Sequence, residues 1–106
     1  AALEALIAAS KADPISEPLK YTFNEDKYIE EALNYIKTTY GSHYSGRVQA
    51  TEVIFSAGFG VGFCVGDIIK YAARLGKKDG YNRKDVLKII HYAVMLLHVL
   101  DTMETE

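Results

Sequence analysis

Residues 82–100, NRKDVLKIIHYAVMLLHVL, decide the fold. Val86, Leu87, Ile90, Ala93, Val94, Leu97 and Leu100 recur there at the three-and-four spacing that keeps side chains on one helix face. Ile89 and Leu96 widen the stripe, so the spacing predicts a long helix buried on more than one side. Asn82 stands at the N-cap position, and Asp85 three residues on resembles a capping box with Asp replacing Glu. Just upstream, Gly76 is a helix stop and Asp79-Gly80 a turn signal. The segment before them, about 62–75, therefore reads as the other arm of a helical hairpin. Lys77 and Lys78 follow it, where cations favour the negative end of a helix.

Working outward toward the N-terminus, Gly58, Gly60 and Gly62 predict a sharp corner. A short helix over 50–57 offers Val53, Ile54 and Phe55 for burial, and 41–49 reads as a polar turn region carrying His43 and Tyr44. Residues 25–40 form an amphipathic helix on the stripe Tyr28, Ile29, Ala32, Leu33 and Ile36. Asn24 is its expected N-cap, Phe23 and Tyr28 its hydrophobic staple, and Gly41 its stop. Leu3, Leu6 and Ile7 predict a further short helix in 1–12, which Pro14 and Pro18 end. No strand pattern of useful length occurs. The chain reads as all-α: residues 1–20 a short helix and Pro-containing linker, and 21–106 a single small helical domain of about four helices.

Of 106 residues, 49% are hydrophobic and 25% charged, the proportions of one folded domain rather than a disordered chain. Twelve basic against fourteen acidic residues leave a net charge of -2, which argues against binding nucleic acid through bulk charge. No run approaches the roughly 20 apolar residues of a membrane span, and a basic start leading into a long apolar run, the mark of a signal peptide, is missing. Cys64 is the one cysteine, which excludes an internal disulfide and fits a reducing compartment. A core this small is thin, so homo-oligomerisation is expected.

The run 58–63, GFGVGF, invites a phosphate-loop reading and fails it. It completes neither G-x-G-x-x-G nor G-x-x-x-x-G-K-[ST]. A tight helix–helix corner explains these glycines better. Asp67, Lys70, Arg74, Lys77 and Lys78 follow at helical spacing and share one face. Arg can grip a phosphate with two parallel hydrogen bonds, and Lys adds a mobile point charge. Such a row suits nucleotide phosphates; a solvated face with an Asp67–Lys70 pair is the plainer alternative. His43, in a turn, has the chemistry of an acid, a base or an anion donor near neutral pH. His91 and His98, seven residues apart, read as packing or interface residues. Glu30 and Glu31 are adjacent rather than a helical turn apart, so no protein-held metal site is expected. Cys64, in an apolar stretch, reads as inert core.

A set of residues in fixed order then carries a family resemblance: His43-Tyr44, ATEVI at 50–54, FCVGDIIKY at 63–71, Arg74, GKK at 76–78, and Asp85, Lys88 and Tyr92. Over 43–100 the chain resembles the small phage-encoded SaV-like family (domain of unknown function 3310), which includes the nucleotide kinase of phage T7. The resemblance implies a phage protein of the host cytoplasm that transfers phosphate to a deoxynucleoside monophosphate. The donor would be a nucleoside triphosphate, with magnesium arriving on the nucleotide and no tightly bound cofactor. Carried over by position, His43, Lys70 and Arg74 become the catalytic candidates. Tyr44, Asp67, Tyr71, Lys77 and Lys78 become the substrate-binding ones. Lys70 and Arg74 would meet phosphate charge, Lys77 and Lys78 a second phosphate, Tyr71 a base or a hydroxyl, and His43 a reacting oxygen. Asp67 stands where relatives commonly have Asn. The rival reading is a non-catalytic module that binds a nucleotide or docks on a host protein.

Overall fold

The computed structural model describes residues 19–41 and 44–104. Four helices account for most of them: α1 (Glu25–Thr38), α2 (Tyr44–Ser56), α3 (Gly60–Arg74) and α4 (Arg83–Glu104). No strand occurs among the described residues, and the fold is all-α.

The C-terminal hairpin forms as the sequence predicts. α3 and α4 run antiparallel and make the most extensive helix contact among the described residues. Leu75 ends α3 in an extended conformation, and Gly76, Asp79 and Gly80 then take positive φ angles of 85, 59 and 67°. Glycine relieves the cost of that conformation at two of the three positions. At Gly76 a Cβ would also stand 3.0 Å from the Tyr81 ring, close enough that the ring would have to shift. The Gly76 N–H donates to the Gly80 carbonyl at 2.9 Å and closes the turn. Asn82 caps α4 as expected, its Oδ1 accepting from the Lys84 N–H at 2.9 Å. The expected capping box does not close. The Asp85 carboxylate turns across the hairpin to Arg74 instead, and only its backbone N–H bonds back to Asn82.

Gly60, buried at the start of α3, makes the corner that the glycine run predicts. Its missing side chain lets α3 rest on Val99 of α4 and Phe55 of α2. Cys64 is fully buried, with Ala32, Tyr71 and Val99 the other buried apolar side chains among the described residues. Ring contacts extend this small core: Phe55 meets Phe63, Phe63 meets Tyr92, and Tyr92 stacks on Tyr71. α1 lies against α4, with Tyr35 edge-on to His91 and Glu31 gripped bidentately by Arg83.

Several expectations need correction. Asn24 sits at the N-terminus of α1 in a left-handed backbone conformation (φ 57°), and its side chain makes no capping bond. Glu25 Oε1 accepts from the Phe23 N–H instead. Phe23 is 74% exposed, so no hydrophobic staple clamps the entry. α1 ends near Thr39, short of Gly41, where the Thr39 N–H and hydroxyl both donate to the Ile36 carbonyl. α2 begins six residues before the expected start, so most of the presumed turn region 41–49 is helical. α4 is not buried on several sides: Val94, Leu97, Leu100 and Met103 remain open. By length and composition its stretch Arg83–Met103 also suffices to cross a membrane, although Lys88, His91, His98 and Asp101 interrupt the apolar run. The helix expected in 1–12, and nearly all of the linker after it, lie outside the described residues.

Candidate functional site

The antiparallel register of the hairpin brings two short periodic sets face to face. Tyr71 and Arg74 on α3 are three apart, and Asp85, Lys88 and Tyr92 on α4 are three and four apart, so each set occupies one helix face. Arg74 meets Asp85, with Nε 3.4 Å from Oδ2. One turn further along, the Tyr71 ring lies nearly parallel to that of Tyr92, with centroids 5.9 Å apart and planes at 15°.

Three cations gather on Tyr71. Lys88 Nζ lies 4.8 Å from the ring centroid, Lys70 Nζ 4.9 Å and the Arg74 guanidinium carbon 5.4 Å. Each is within reach of the negative face of the ring's quadrupole. Tyr71 is only 8% exposed, so the ring is a fixed platform rather than a mobile side chain. Against three positive charges the cluster holds one carboxylate, Asp85, which is fully buried. Neither Arg74 Nε nor Asp85 Oδ2 has a hydrogen-bond partner among the described residues. The pair is joined by charge alone, and positive charge is left over at the solvent-facing edge where Lys70 is exposed.

Lys70, Tyr71 and Arg74 are thus brought together. Asp67 is on the same helix one turn earlier, half-buried, and forms no ion pair with Lys70 among the described residues. Its negative charge adds to burial in pushing the Cys64 thiol up from its ordinary range, burial being the larger cause. Lys77 and Lys78 are exposed in the turn after α3, where their N–H groups donate to the Arg74 carbonyl, and no contact joins their side chains to the cluster. His43 lies outside the described residues, and Tyr44 is the first residue of α2.

Lys88 and Asp85 belong to this cluster and were absent from the expected site. Their signal was present as the 85–88–92 spacing on the last helix, but reading it needs the register between the two hairpin arms. A separate open groove of about 430 Å³ lies between α1 and the start of α4. Tyr28, Glu31, Tyr81, Arg83, Val86 and Ile90 are among its walls, and none of the expected site residues is. No group of three or more potential metal ligands occurs among the described residues.

The DUF3310 family model, described as a protein of unknown function, matches residues 36–94, from the end of α1 to the middle of α4. The match covers more than half of the chain and includes every residue of the Tyr71 cluster. The chain belongs to this family. No curated protein and no solved structure matches it.

Proposed function

We propose that this member of the DUF3310 family binds the phosphates of a nucleotide on the Lys70–Arg74–Lys88 cluster. The observation carrying this reading is the convergence of three cations, opposed by one carboxylate, on a single buried tyrosine ring. Like charges held together raise the free energy of the folded chain, and an anion placed among them lowers it. Arg74 is held on one side by Asp85, which limits its rotamers and favours one approach to a phosphate oxygen. The lysines, on longer free stems, would follow the charge.

The reaction we assign is phosphoryl transfer from a nucleoside triphosphate to a deoxynucleoside monophosphate, in a phage protein of the host cytoplasm. An oxygen of the acceptor phosphate forms the new P–O bond as the bond from the γ-phosphorus to its bridging oxygen breaks, releasing the diphosphate. Positioning and charge neutralisation do most of this work in phosphoryl transfer. The cluster supplies both without a Walker loop. Magnesium would enter with the triphosphate. His43 would position or protonate a reacting oxygen, Tyr44 and Asp67 would contact the acceptor, and Lys77 and Lys78, exposed in the turn, would add long-range positive charge toward a second phosphate rather than a direct contact.

The test is incubation with ATP, magnesium and each deoxynucleoside monophosphate in turn, with the diphosphate product measured. A product that disappears in Lys70→Ala with Arg74→Ala supports the reading. Saturable nucleotide binding without turnover in any pairing leaves a binding module and removes the kinase. Absence of both removes the nucleotide reading altogether.

A further inference from the structure

We infer, on the phosphate-binding reading above, that the Lys70–Arg74–Lys88 cluster reads a phosphate chain and is blind to the base. It takes the oligophosphate of any nucleoside triphosphate, or inorganic tripolyphosphate, with nearly equal affinity. A protein tells one base from another with a ring face to stack on and with hydrogen-bonding groups of both kinds along the base edge. The cluster offers neither. Tyr71 is buried, and three cations and the Tyr92 ring already stand about it, so a base has no face of this ring to lie on. Tyr92 is half-buried, stacked on Tyr71 and met edge-on by Phe63. Tyr81, a ring that is 87% exposed, lines the groove beside α1 with Val86 and Ile90, on the side of α4 opposite Lys88 and Tyr92.

The polar groups point the same way. Lys70, Arg74 and Lys88 carry donors alone. The cluster's carboxylate, Asp85, is 1% exposed and faces Arg74, so it cannot accept from the exocyclic amine of a base. The positive charges, in contrast, reach water: Lys70 is exposed, and Arg74 and Lys88 are half-buried. All three lie within 5.4 Å of one ring centroid, close enough together for a single short phosphate chain to bridge them. Three cations against one carboxylate leave an excess of positive charge, and successive phosphates match it whatever nucleoside they are attached to.

Calorimetric titration of the full chain tests this, at fixed ionic strength and without magnesium, so that bare phosphate charges are compared. The ligands are ATP, GTP, CTP, UTP, inorganic tripolyphosphate and adenosine. The expected dissociation constants of the four nucleotides and tripolyphosphate agree within about threefold, adenosine does not bind, and Lys70→Ala weakens every phosphate ligand about tenfold. Lys70 is exposed, so this variant keeps its helical circular dichroism. A spread of tenfold or more among the nucleotides overturns the inference, as does ATP binding without tripolyphosphate binding, and either result leaves the nucleotide reading standing. Tripolyphosphate binding that Lys70→Ala and Lys88→Ala both leave unchanged also overturns it. Binding of none of the phosphate ligands removes the inference and the nucleotide reading together.

Discussion

The Asp85 carboxylate lies 3.4 Å from the Arg74 guanidinium across the α3–α4 turn, and the two ends of this pair are unequally buried. The Asp85 side chain is 1% exposed and that of Arg74 28%. If Asp85 loses its charge, Arg74 can swing its head toward water along a flexible stem. If Arg74 is lost, Asp85 has no such exit. Asp85→Asn should therefore cost about 1–3 kcal/mol and Arg74→Met about 3–5 kcal/mol, the larger figure reflecting an uncompensated buried charge. Urea unfolding of both variants checks the order; equal midpoints would show that Asp85 reaches solvent.

Gly60 is the tightest glycine in the fold. A Cβ there would meet Val99 Cγ1 at 2.9 Å and Phe55 Cδ1 at 3.2 Å, so Gly60→Ala must push α3 away from both neighbours. Overpacking of this kind costs about 1–3 kcal/mol. Gly62→Ala, two residues on, has nothing within 4 Å of its new atom and should be neutral or slightly stabilising through helix propensity. Paired thermal melts of the two variants measure the contrast.

Cys64 has no exposed surface, and burial, aided by the Asp67 charge, raises its thiol above the ordinary range. The reactive thiolate is thus both scarce and shielded. Labelling by iodoacetamide should be slow in the native protein and complete in denaturant. In the intermediate regime its rate should follow the opening of the α3–α4 hairpin. Rapid native labelling would mean that this hairpin opens far more readily than its packing implies.

The Glu31–Arg83 pair joins α1 to the start of α4, and its hydrogen bonds from Arg83 hold the Glu31 carboxyl below its ordinary value. A carboxyl lowered in the folded state stabilises that state once pH exceeds the unfolded value, and the benefit fades as pH falls through the folded one. Acidification from neutral through the carboxylate range should therefore loosen α1 from α4. Glu31→Gln should flatten that part of the pH profile while changing neutral-pH stability little, because both groups face solvent. Melting midpoints at a series of pH values for the two proteins provide the measurement.

How much of this was legible in the sequence depends on the range of the interaction. The hairpin was, because Gly76, Asp79-Gly80 and Asn82 act locally and the stripe of α4 repeats for many turns. The early start of α2 was not: Tyr44 to Gln49 holds Gly46 and mostly polar residues, with Val48 too isolated to set a period, and neither propensity nor pattern marks a helix there. At Asn24 a favoured capping residue took a left-handed backbone and makes no side-chain capping bond, a choice that propensity does not encode. Asp85 looked like a local cap and became a tertiary partner. A carboxylate facing a guanidinium at short range gains more than one facing a single backbone N–H. The same limitation hid Lys88, whose place in the cluster depends on the register of α3 against α4.

That register yields the sharpest prediction for the site. From the sequence, Lys70, Arg74, Lys77 and Lys78 form one row on a single helix. In the folded chain α3 ends at Arg74, the two following lysines sit in an exposed turn, and the third cation on Tyr71 comes from Lys88 of α4. An anion held among the cations around Tyr71 would be closer to Lys88 than to either turn lysine. Lys88→Ala should then weaken pyrophosphate or ATP binding about tenfold, the loss of one charge-assisted contact of about 1.4 kcal/mol. Lys77→Ala should change it by less than about twofold, as expected of a solvated charge more than one contact away. Calorimetric titration of the two variants distinguishes the hairpin cluster from the single-helix row, and the reverse order of effects would return the site to the turn.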